Sequence, residues 1–212
     1  MGSTKPTKLD LKDQFPDLYR ASAKQVEEKI IPPMKFFMID GSGNPNTGTS
    51  FQEAITTLYG AAFTLKMYFK KTPEGQDYVV PPLEGLWYMP NMAEWTMAAK
   101  EKWQWTLMIR IPDFVPSAEL TQSMKLLAEK PAEKVPDLAK LRIEDYEEGL
   151  VIQILYVGPY DDEPPTIQKM HAFAHDHGYL LAGKHHEIYL SDARRVDPTK
   201  LRTILRQPVK KA

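Results

Sequence analysis

The chain has 212 residues, of which 42% are hydrophobic and 26% charged, as in ordinary globular domains. Its 27 basic and 28 acidic residues give a net charge of −1, which argues against a duplex nucleic-acid partner, and no apolar run approaches the roughly 18 residues that span a bilayer. The lack of cysteine excludes disulfides, thiolate nucleophiles and cysteine-bound metals, and together with the polar N-terminus it predicts a cytoplasmic protein without a secretory signal.

The first elements lead from a polar extension into a strand and a long helix. A short helix is predicted at 22–29. The apolar run at 34–40 predicts a strand that ends in the turn-forming residues 41–45. A long helix follows from about Ser50, because Ser50 and Glu53 have the spacing of a capping box.

This helix carries two adjoining apolar stripes, which predict burial over a wide arc of its surface. The first stripe repeats every three or four residues and consists of Phe51, Ile55, Leu58, Ala62, Leu65 and Phe69. The second stripe lies beside it and consists of Tyr59, Phe63 and Met67. The pattern alone allows the second stripe to be plain core or to line a binding pocket.

Two further strands, a helix and a linker complete the first half of the chain. Their positions are 83–89 and 103–111 for the strands, 117–129 for the helix and 130–140 for the linker. A regular strand can turn only one of Trp87 and Tyr88 inward, and we favour Trp87. Clean alternation of apolar and polar residues places Trp103 and Trp105 together on the buried face of their strand.

The second half repeats the first in outline. It predicts a strand at 150–157, a helix at 164–177 capped by Gly178, a strand at 184–192 and a last strand at 201–206. Each half reads β-α-β-β, which indicates an internal duplication. We predict an α+β fold in which two antiparallel-type sheets meet about a pseudo-twofold axis, with a ligand cleft between them. The predicted units are an N-terminal extension at 1–33 and one domain at 34–212, made of repeats at about 34–112 and 141–209 and a linker helix at about 117–140.

The strand KHHEIYLSD, at 184–192, has two faces of different character. Successive side chains point to opposite sides of a sheet, which gives His186, Ile188 and Leu190 on one side and His185, Glu187 and Tyr189 on the other. The first set suits a packed core. The second set places the acid Glu187 between two hydrogen-bond donors, on a face that either meets solvent or lines an aromatic cleft.

No motif predicts a metal ion, a cofactor or a covalent nucleophile. His171 and His175 lie one helical turn apart, but without cysteine or an HExxH motif they fall short of the convergent ligands of a zinc site. Gly41 and Gly43 lack the rest of a dinucleotide fingerprint, and no GxSxG elbow occurs. We therefore predict a site that works without a cofactor or a metal.

Several motifs resemble those of stand-alone members of the GyrI-like family of small-molecule-binding domains. They are MKFFMIDGSGNPNTGTSFQEAITTLYGAAFTLKM, PLEGLWYM, WQWTLMIRIPDFV, YVGPYDDEP, HHEIYLSD and LRTILRQPV. The resemblance covers about residues 9–209. It implies a duplicated β-α-β-β fold that is shared with the ligand-sensing domains of multidrug-responsive transcription regulators.

The resemblance also implies a ligand and a set of site residues. The ligand would be a lipophilic, often cationic small molecule or xenobiotic in an aromatic cleft, and Glu187 matches the family's pocket acid. The predicted pocket lining consists of Tyr59, Trp87, Trp105 and Tyr189, together with Phe63 and Met67 of the second helix stripe.

Two alternatives to simple binding stay open at this point. Some stand-alone relatives are hydrolases that open the strained cyclopropane of DNA-alkylating natural products. That reaction would use Glu187 as the general base, with Tyr59 or Tyr189 supporting the substrate carbonyl. The members that give the family its name suggest instead an inhibitor or adaptor that docks on a larger protein.

Overall fold

The described chain, residues 8–89 and 97–212 of a computed structural model, contains nine strands and five α-helices. The strands are β1 (Glu27–Ile31), β2 (Met34–Ser42), β3 (Leu83–Tyr88), β4 (Gln104–Arg110), β5 (Arg142–Tyr146), β6 (Gly149–Val157), β7 (Tyr179–Leu181), β8 (His185–Tyr189) and β9 (Arg202–Lys211). The helices are α1 (Leu11–Gln14), α2 (Pro16–Tyr19), α3 (Thr49–Phe69), α4 (Ser117–Ala128) and α5 (Pro164–Asp176). Within these residues, none of the helices has the length and apolarity needed to cross a bilayer.

The strands form one antiparallel sheet in the order β1-β6-β9-β8-β3-β4-β2-β5, with β7 added beside β9. The predicted α+β class is confirmed. The structure differs from the prediction in having one sheet rather than two, because β3 and β8 pair at its centre and join the halves. The strand order of the two β-α-β-β halves is mirrored about this central pair. That the arrangement arose by duplication stays a prediction.

The sheet is strongly curled, because strands that follow each other in sequence lie at its opposite ends. β1 forms one edge and β2 lies beside the other, yet only Pro32 and Pro33 separate them. Three Cα steps reach at most about 11 Å, whereas six strand spacings in a flat sheet would need about 29 Å. The same reasoning applies to β5 and β6. The two edges must therefore approach each other.

Helices α3, α4 and α5 cover one face of the sheet. The core beneath α3 and α4 includes Leu58 and Leu107, and the core beneath α5 includes Met170 and Leu205. Cross-strand register places Leu107 and Leu205 on the same side of the sheet as Glu187. Glu187 consequently lies between the two helical layers.

The other face is covered by the N-terminal segment. Leu11, Leu18 and Tyr19 of α1 and α2 are buried in one cluster with Phe36 of β2. The helix predicted at 22–29 is wrong, because β1 begins inside that range and pairs with β6. The charged edge strand EEKII lacks the alternating pattern by which a strand is recognised.

The predicted end of α5 is confirmed, whereas the predicted start of α3 is wrong. Gly48 is the N-cap of α3 and no side chain caps this end, so Ser50 and Glu53 lie inside the helix and form no capping box. Gly178 follows α5 with a positive φ of 69°, as expected of a glycine that ends a helix.

Candidate functional site

Glu187 lies at the centre of the sheet, where β8 pairs with β3. Its register partner on β3 is Gly85, and its side chain is 13% exposed. Of the two environments that the alternation allowed for this face, solvent or an enclosed site, the structure shows the enclosed one. A small part of the carboxylate side chain remains accessible to solvent.

Two neutral donors in series orient the Glu187 carboxylate. Trp87 Nε1 donates to the Tyr189 hydroxyl over 3.0 Å, and that hydroxyl donates to Glu187 Oε2 over 2.8 Å. Burial, together with the negative charge of Glu187, raises the pKa of Tyr189 well above its usual range, so the hydroxyl keeps its proton. On the other side of the carboxylate, His185 Nε2 lies 3.6 Å from Oε1.

Gly85 makes room for this chain of hydrogen bonds. A Cβ atom at this position would lie 3.0 Å from Trp87 Nε1 and 3.1 Å from the Tyr189 hydroxyl, tighter than ordinary van der Waals contact. The sequence pattern did not single out Gly85. A glycine in the interior of a strand is the signal that could have found it, since it often marks a close approach.

Aromatic rings pack against Trp87 and Tyr189, the two residues that orient the carboxylate. Phe51 of α3 stacks on Trp87 with ring centroids 5.8 Å apart, and its edge meets Trp105 at 5.2 Å. Tyr160 packs edge-on against Tyr189 at 5.7 Å. Trp105 is fully buried and contacts the site residues through Phe51.

The second stripe of α3, Tyr59, Phe63 and Met67, differs in burial along its length. Tyr59 is partly buried and packs against the core beneath α3. Burial, followed by the charges of Glu163 and Glu187, raises the pKa of Tyr160 to about 12. Phe63 and Met67 are each 48% exposed, so the predicted burial of the second stripe over a wide arc is wrong beyond Tyr59.

A second acid, Glu163 at the start of α5, lies close to Glu187 and was not among the predicted site residues. Its residue is 4% exposed. Burial, followed by the negative charge of Glu187, raises its pKa to about 10. We call Trp87, Glu163, Glu187 and Tyr189 the Glu187 site.

An ion pair crosses from one half of the chain to the other near these residues. Lys100, from the 3₁₀ turn before β4, lies 2.8 Å from Asp161 in the turn before α5. The Lys100 ammonium group also lies 5.8 Å from the centroid of the Trp103 ring. Asp161 adds its charge to the surroundings of Glu163, so the pair stands beside the Glu187 site.

The opposite face of β8 carries a different polar cluster, the His186 network of Glu84, Glu148, His186 and Arg206. His186 Nε2 lies 3.0 Å from Glu84 and Nδ1 lies 3.0 Å from Glu148, which also meets Arg206 at 3.1 Å. These side chains are 0–2% exposed. His186 lies on the buried face, as predicted, but its neighbours there are the charged residues Glu84 and Glu148 rather than apolar side chains.

The charges of this network shift each other's proton affinity. Burial alone would lower the pKa of His186, but the carboxylates of Glu148 and Glu84 raise it to about 9. Burial alone would raise the pKa of Glu148, but His186 and Arg206 lower it to about 2. Near neutral pH His186 is therefore a cation and Glu148 an anion, and the two lie in direct contact.

A separate open cavity of about 670 Å³ lies at the N-terminus of α3. Its lining includes Thr49, Gln52, Glu133 and Pro136, and it shares no residue with the Glu187 site. Most of these residues are exposed, so a ligand there would keep much of its surface in water. The Glu187 site is the better candidate because its polar groups are enclosed.

Within residues 8–89 and 97–212, no group of three or more His, Cys, Asp or Glu side chains is arranged to hold a metal ion. His171 and His175, which lie one turn apart on α5, differ in their exposure to solvent. The His175 side chain is solvent-exposed beside Asp176, whereas His171 is partly buried, and burial followed by the influence of His185 lowers its pKa.

The whole chain is similar to a protein-family model and to several solved structures. A model of the GyrI-like small molecule binding domain matches residues 24–210. The chain is 35% identical to an uncharacterized conserved protein from Listeria innocua, with a TM-score of 0.84 and coverage of 96% of this chain and 100% of that one. It is 34% identical to a hydrolase from Listeria innocua, with a TM-score of 0.79 and the same coverage.

A more distant similarity concerns the fold alone. The EcmrR C-terminal domain is 13% identical, with a TM-score of 0.58 and coverage of 89% of this chain and 98% of that one. Among curated protein sequences, none matches this chain significantly.

Proposed function

Because the chain belongs to the GyrI-like small molecule binding domain family, we propose that it binds hydrophobic, often cationic molecules at the Glu187 site. One observation carries the proposal. The Glu187 carboxylate is mostly enclosed, oriented by neutral donors, and paired with no lysine or arginine of the described chain. An enclosed negative charge that no lysine or arginine of the described residues neutralises is costly to a fold, and a ligand cation would supply that partner.

The expected gain in binding free energy is large enough for the site to prefer a cationic ligand over a neutral one. A cation at about 4 Å from a carboxylate gains roughly 4 kcal/mol at an effective dielectric near 20, and a desolvated aromatic face adds about 1 to 2 kcal/mol. The aromatic rings offer little directional hydrogen bonding to the ligand. Broad specificity follows, which would suit sequestration of lipophilic xenobiotics.

Two probes of similar shape test the charge argument. Methyltriphenylphosphonium carries a permanent positive charge, whereas triphenylphosphine oxide is neutral, and calorimetry can measure the binding of both. In Glu187→Gln we expect affinity for the cation to fall at least about tenfold, while affinity for the neutral probe changes little.

The control for this substitution is Glu74→Gln, which makes the same chemical change at an exposed position. It should leave the binding of both probes as in the wild type. Equal losses for both probes in Glu187→Gln would show that the residue shapes the site without acting through its charge, and would overturn the proposal.

A second candidate function is hydrolysis of a strained cyclopropane, and the orientation of the carboxylate favours it. Tyr189 donates to Oε2, so the proton of a water molecule would go to Oε1, which has His185 Nε2 3.6 Å away. In this reaction Glu187 would take the proton of a water molecule as its oxygen bonds to a ring carbon. The ring C–C bond would break, its electron pair would move to the conjugated carbonyl, and that oxygen would be protonated, with Tyr59 as the candidate donor of a hydrogen bond.

The hydrolase candidate is tested by turnover of a spirocyclopropyl dienone alkylator. Wild-type protein should accelerate ring opening, and Glu187→Gln should lower the catalysed rate by about 10² to 10⁴. A rate equal to that of the spontaneous reaction, in protein that still binds the compound, would leave a binding function alone.

A further inference from the structure

Glu163 is a buried carboxyl for which the fold provides little stabilisation as an anion. It is 4% exposed, and its Oε1 atom has no hydrogen-bond partner within residues 8–89 and 97–212. Such an atom is costly to keep buried unless it carries a proton or meets a ligand.

The local sequence explains why Glu163 gains nothing from its position at the start of a helix. A carboxylate at an N-cap normally accepts hydrogen bonds from backbone N–H groups of the first turn. Here the next two residues are Pro164 and Pro165, which have no N–H group, and the Glu163 side chain caps nothing. The N–H of Thr166 bonds to the Glu163 carbonyl instead.

Two carboxyl groups that share an enclosed site cannot both ionise cheaply. The charge of Glu187 adds to burial in keeping Glu163 protonated, and Asp161 acts in the same direction, whereas the Thr203 hydroxyl opposes them. In the free protein the Glu163 and Glu187 pair therefore carries a proton that a ligand can influence.

Other charged or titratable groups surround this pair and must be distinguished from it. They are His185 and Tyr189 on β8, Tyr160 and the Asp161–Lys100 ion pair in the turn before α5, and His171 on α5. Substitution of Glu163 is therefore needed to distinguish a proton released by the two carboxyl groups from one released by these neighbours.

We propose that Glu163 is a second carboxyl of the ligand site, and that it gives up its proton when a cationic ligand enters. The inference rests on the proposed function. It adds a rule for which ligands the site accepts. With Glu163 protonated the site carries one negative charge, and with Glu163 ionised it carries two, so it can accept both monocations and dications. The neutral form of Glu163 also allows the site to hold uncharged lipophilic ligands without a second buried charge.

Proton release makes affinity depend on pH. If binding of a monocation releases about 0.5 to 1 proton near pH 7, affinity for it rises by about 3- to 10-fold per pH unit. A neutral ligand of the same shape releases no proton, and its affinity stays constant over this range.

The experiment is calorimetric titration of the wild-type protein in several buffers of different ionisation enthalpy. The slope of the observed enthalpy against the buffer enthalpy gives the number of protons released. The probes are methyltriphenylphosphonium and triphenylphosphine oxide, neither of which titrates. We expect release with the cation, none with the neutral probe, and loss of the release in Glu163→Gln.

The control substitution is Asp162→Asn, which removes an exposed acid next to Glu163 and should leave proton release as in the wild type. Cation binding without proton release by the wild type would overturn this inference and leave the proposed function standing. Release that persists in Glu163→Gln would assign the proton to another group and overturn it as well. Failure of the wild type to bind either probe would overturn both proposals.

Discussion

His186 and Glu187 are neighbours on β8, yet they belong to polar clusters that differ in how their charges are balanced. In the His186 network each charged group lies against an opposite charge, and its side chains are 0–2% exposed. In the Glu187 site the Glu187 carboxylate is 13% exposed and is held by the neutral donors Trp87 and Tyr189, whereas Glu163 Oε1 has no hydrogen-bond partner among the described residues. Charge balance, more than burial, separates the cluster that stabilises the fold from the one suited to a ligand.

The difference has a physical consequence for stability. Buried charges are tolerated when each has a partner, and removal of one partner exposes the full desolvation cost of the other. Unbalanced charges are a standing cost to the fold, and they persist where function needs them. The same change, glutamate to glutamine, should therefore act in opposite directions on the two sides of the sheet.

The largest effect is expected at Glu148. Glu148→Gln removes the charge that faces both His186 and Arg206, and we expect the free energy of unfolding to fall by about 3–5 kcal/mol in urea titrations. Glu147→Gln makes the same change at the exposed neighbouring position and should cost less than about 0.5 kcal/mol. A comparable small loss at both positions would contradict a stabilising role for the network.

The pH dependence of stability gives the next largest effect. The pKa of His186 is raised from 6.5 to about 9, so its contribution is fully present below pH 6.5 and is lost as the pH rises through 9. The loss should amount to at most about 3 kcal/mol.

Unfolding free energies measured between about pH 6 and pH 10 check this expectation. The decline should be absent in His186→Gln and retained in His175→Gln, whose imidazole is solvent-exposed. An identical decline in His186→Gln would assign it to other groups.

Sequence reasoning recovered the elements whose side chains alternate or repeat clearly. The predicted boundaries of the strand at 103–111, the helix at 164–177 and the strand at 184–192 lie within three residues of those of β4, α5 and β8. It missed β1 and β5, because both are edge strands with charged residues, EEKII and RIEDY, whose pattern resembles that of a loop or a helix.

The two polar clusters were less predictable than the elements that carry them. His186 and Glu84 are 102 residues apart in sequence, and only strand register brings them together. Periodicity gives the face on which Glu187 lies, but it carries no information about the partners that lie across the sheet. Glu163 looks like an ordinary acid at a helix start, and its burial depends on how α5 packs on the sheet.

Glu163→Gln should raise stability, opposite in sign to Glu148→Gln. An acid whose pKa is raised from 4.5 to about 10 on folding binds more protons in the folded state, so stability falls as the pH rises above 4.5. Glutamine removes this loss, and we expect a gain of about 0.5–2 kcal/mol near pH 8. The gain should shrink near pH 5, and urea titrations at both pH values check it. A destabilised variant at both would show that Glu163 supports the fold as an anion.

The smallest expected effect separates the orientation of Glu187 from its charge. Tyr189→Phe removes the hydroxyl that joins Trp87 to Glu187, and we expect affinity for methyltriphenylphosphonium to fall by about 2- to 10-fold, the net worth of one hydrogen bond. Tyr179→Phe is the matched control, because its hydroxyl also donates to a glutamate, Glu28, but at the β7 edge. It should leave affinity as in the wild type. If Tyr189→Phe matched the loss of Glu187→Gln, the hydroxyl would have to contact the ligand directly; if it changed nothing, the carboxylate would be held in place by the strand alone.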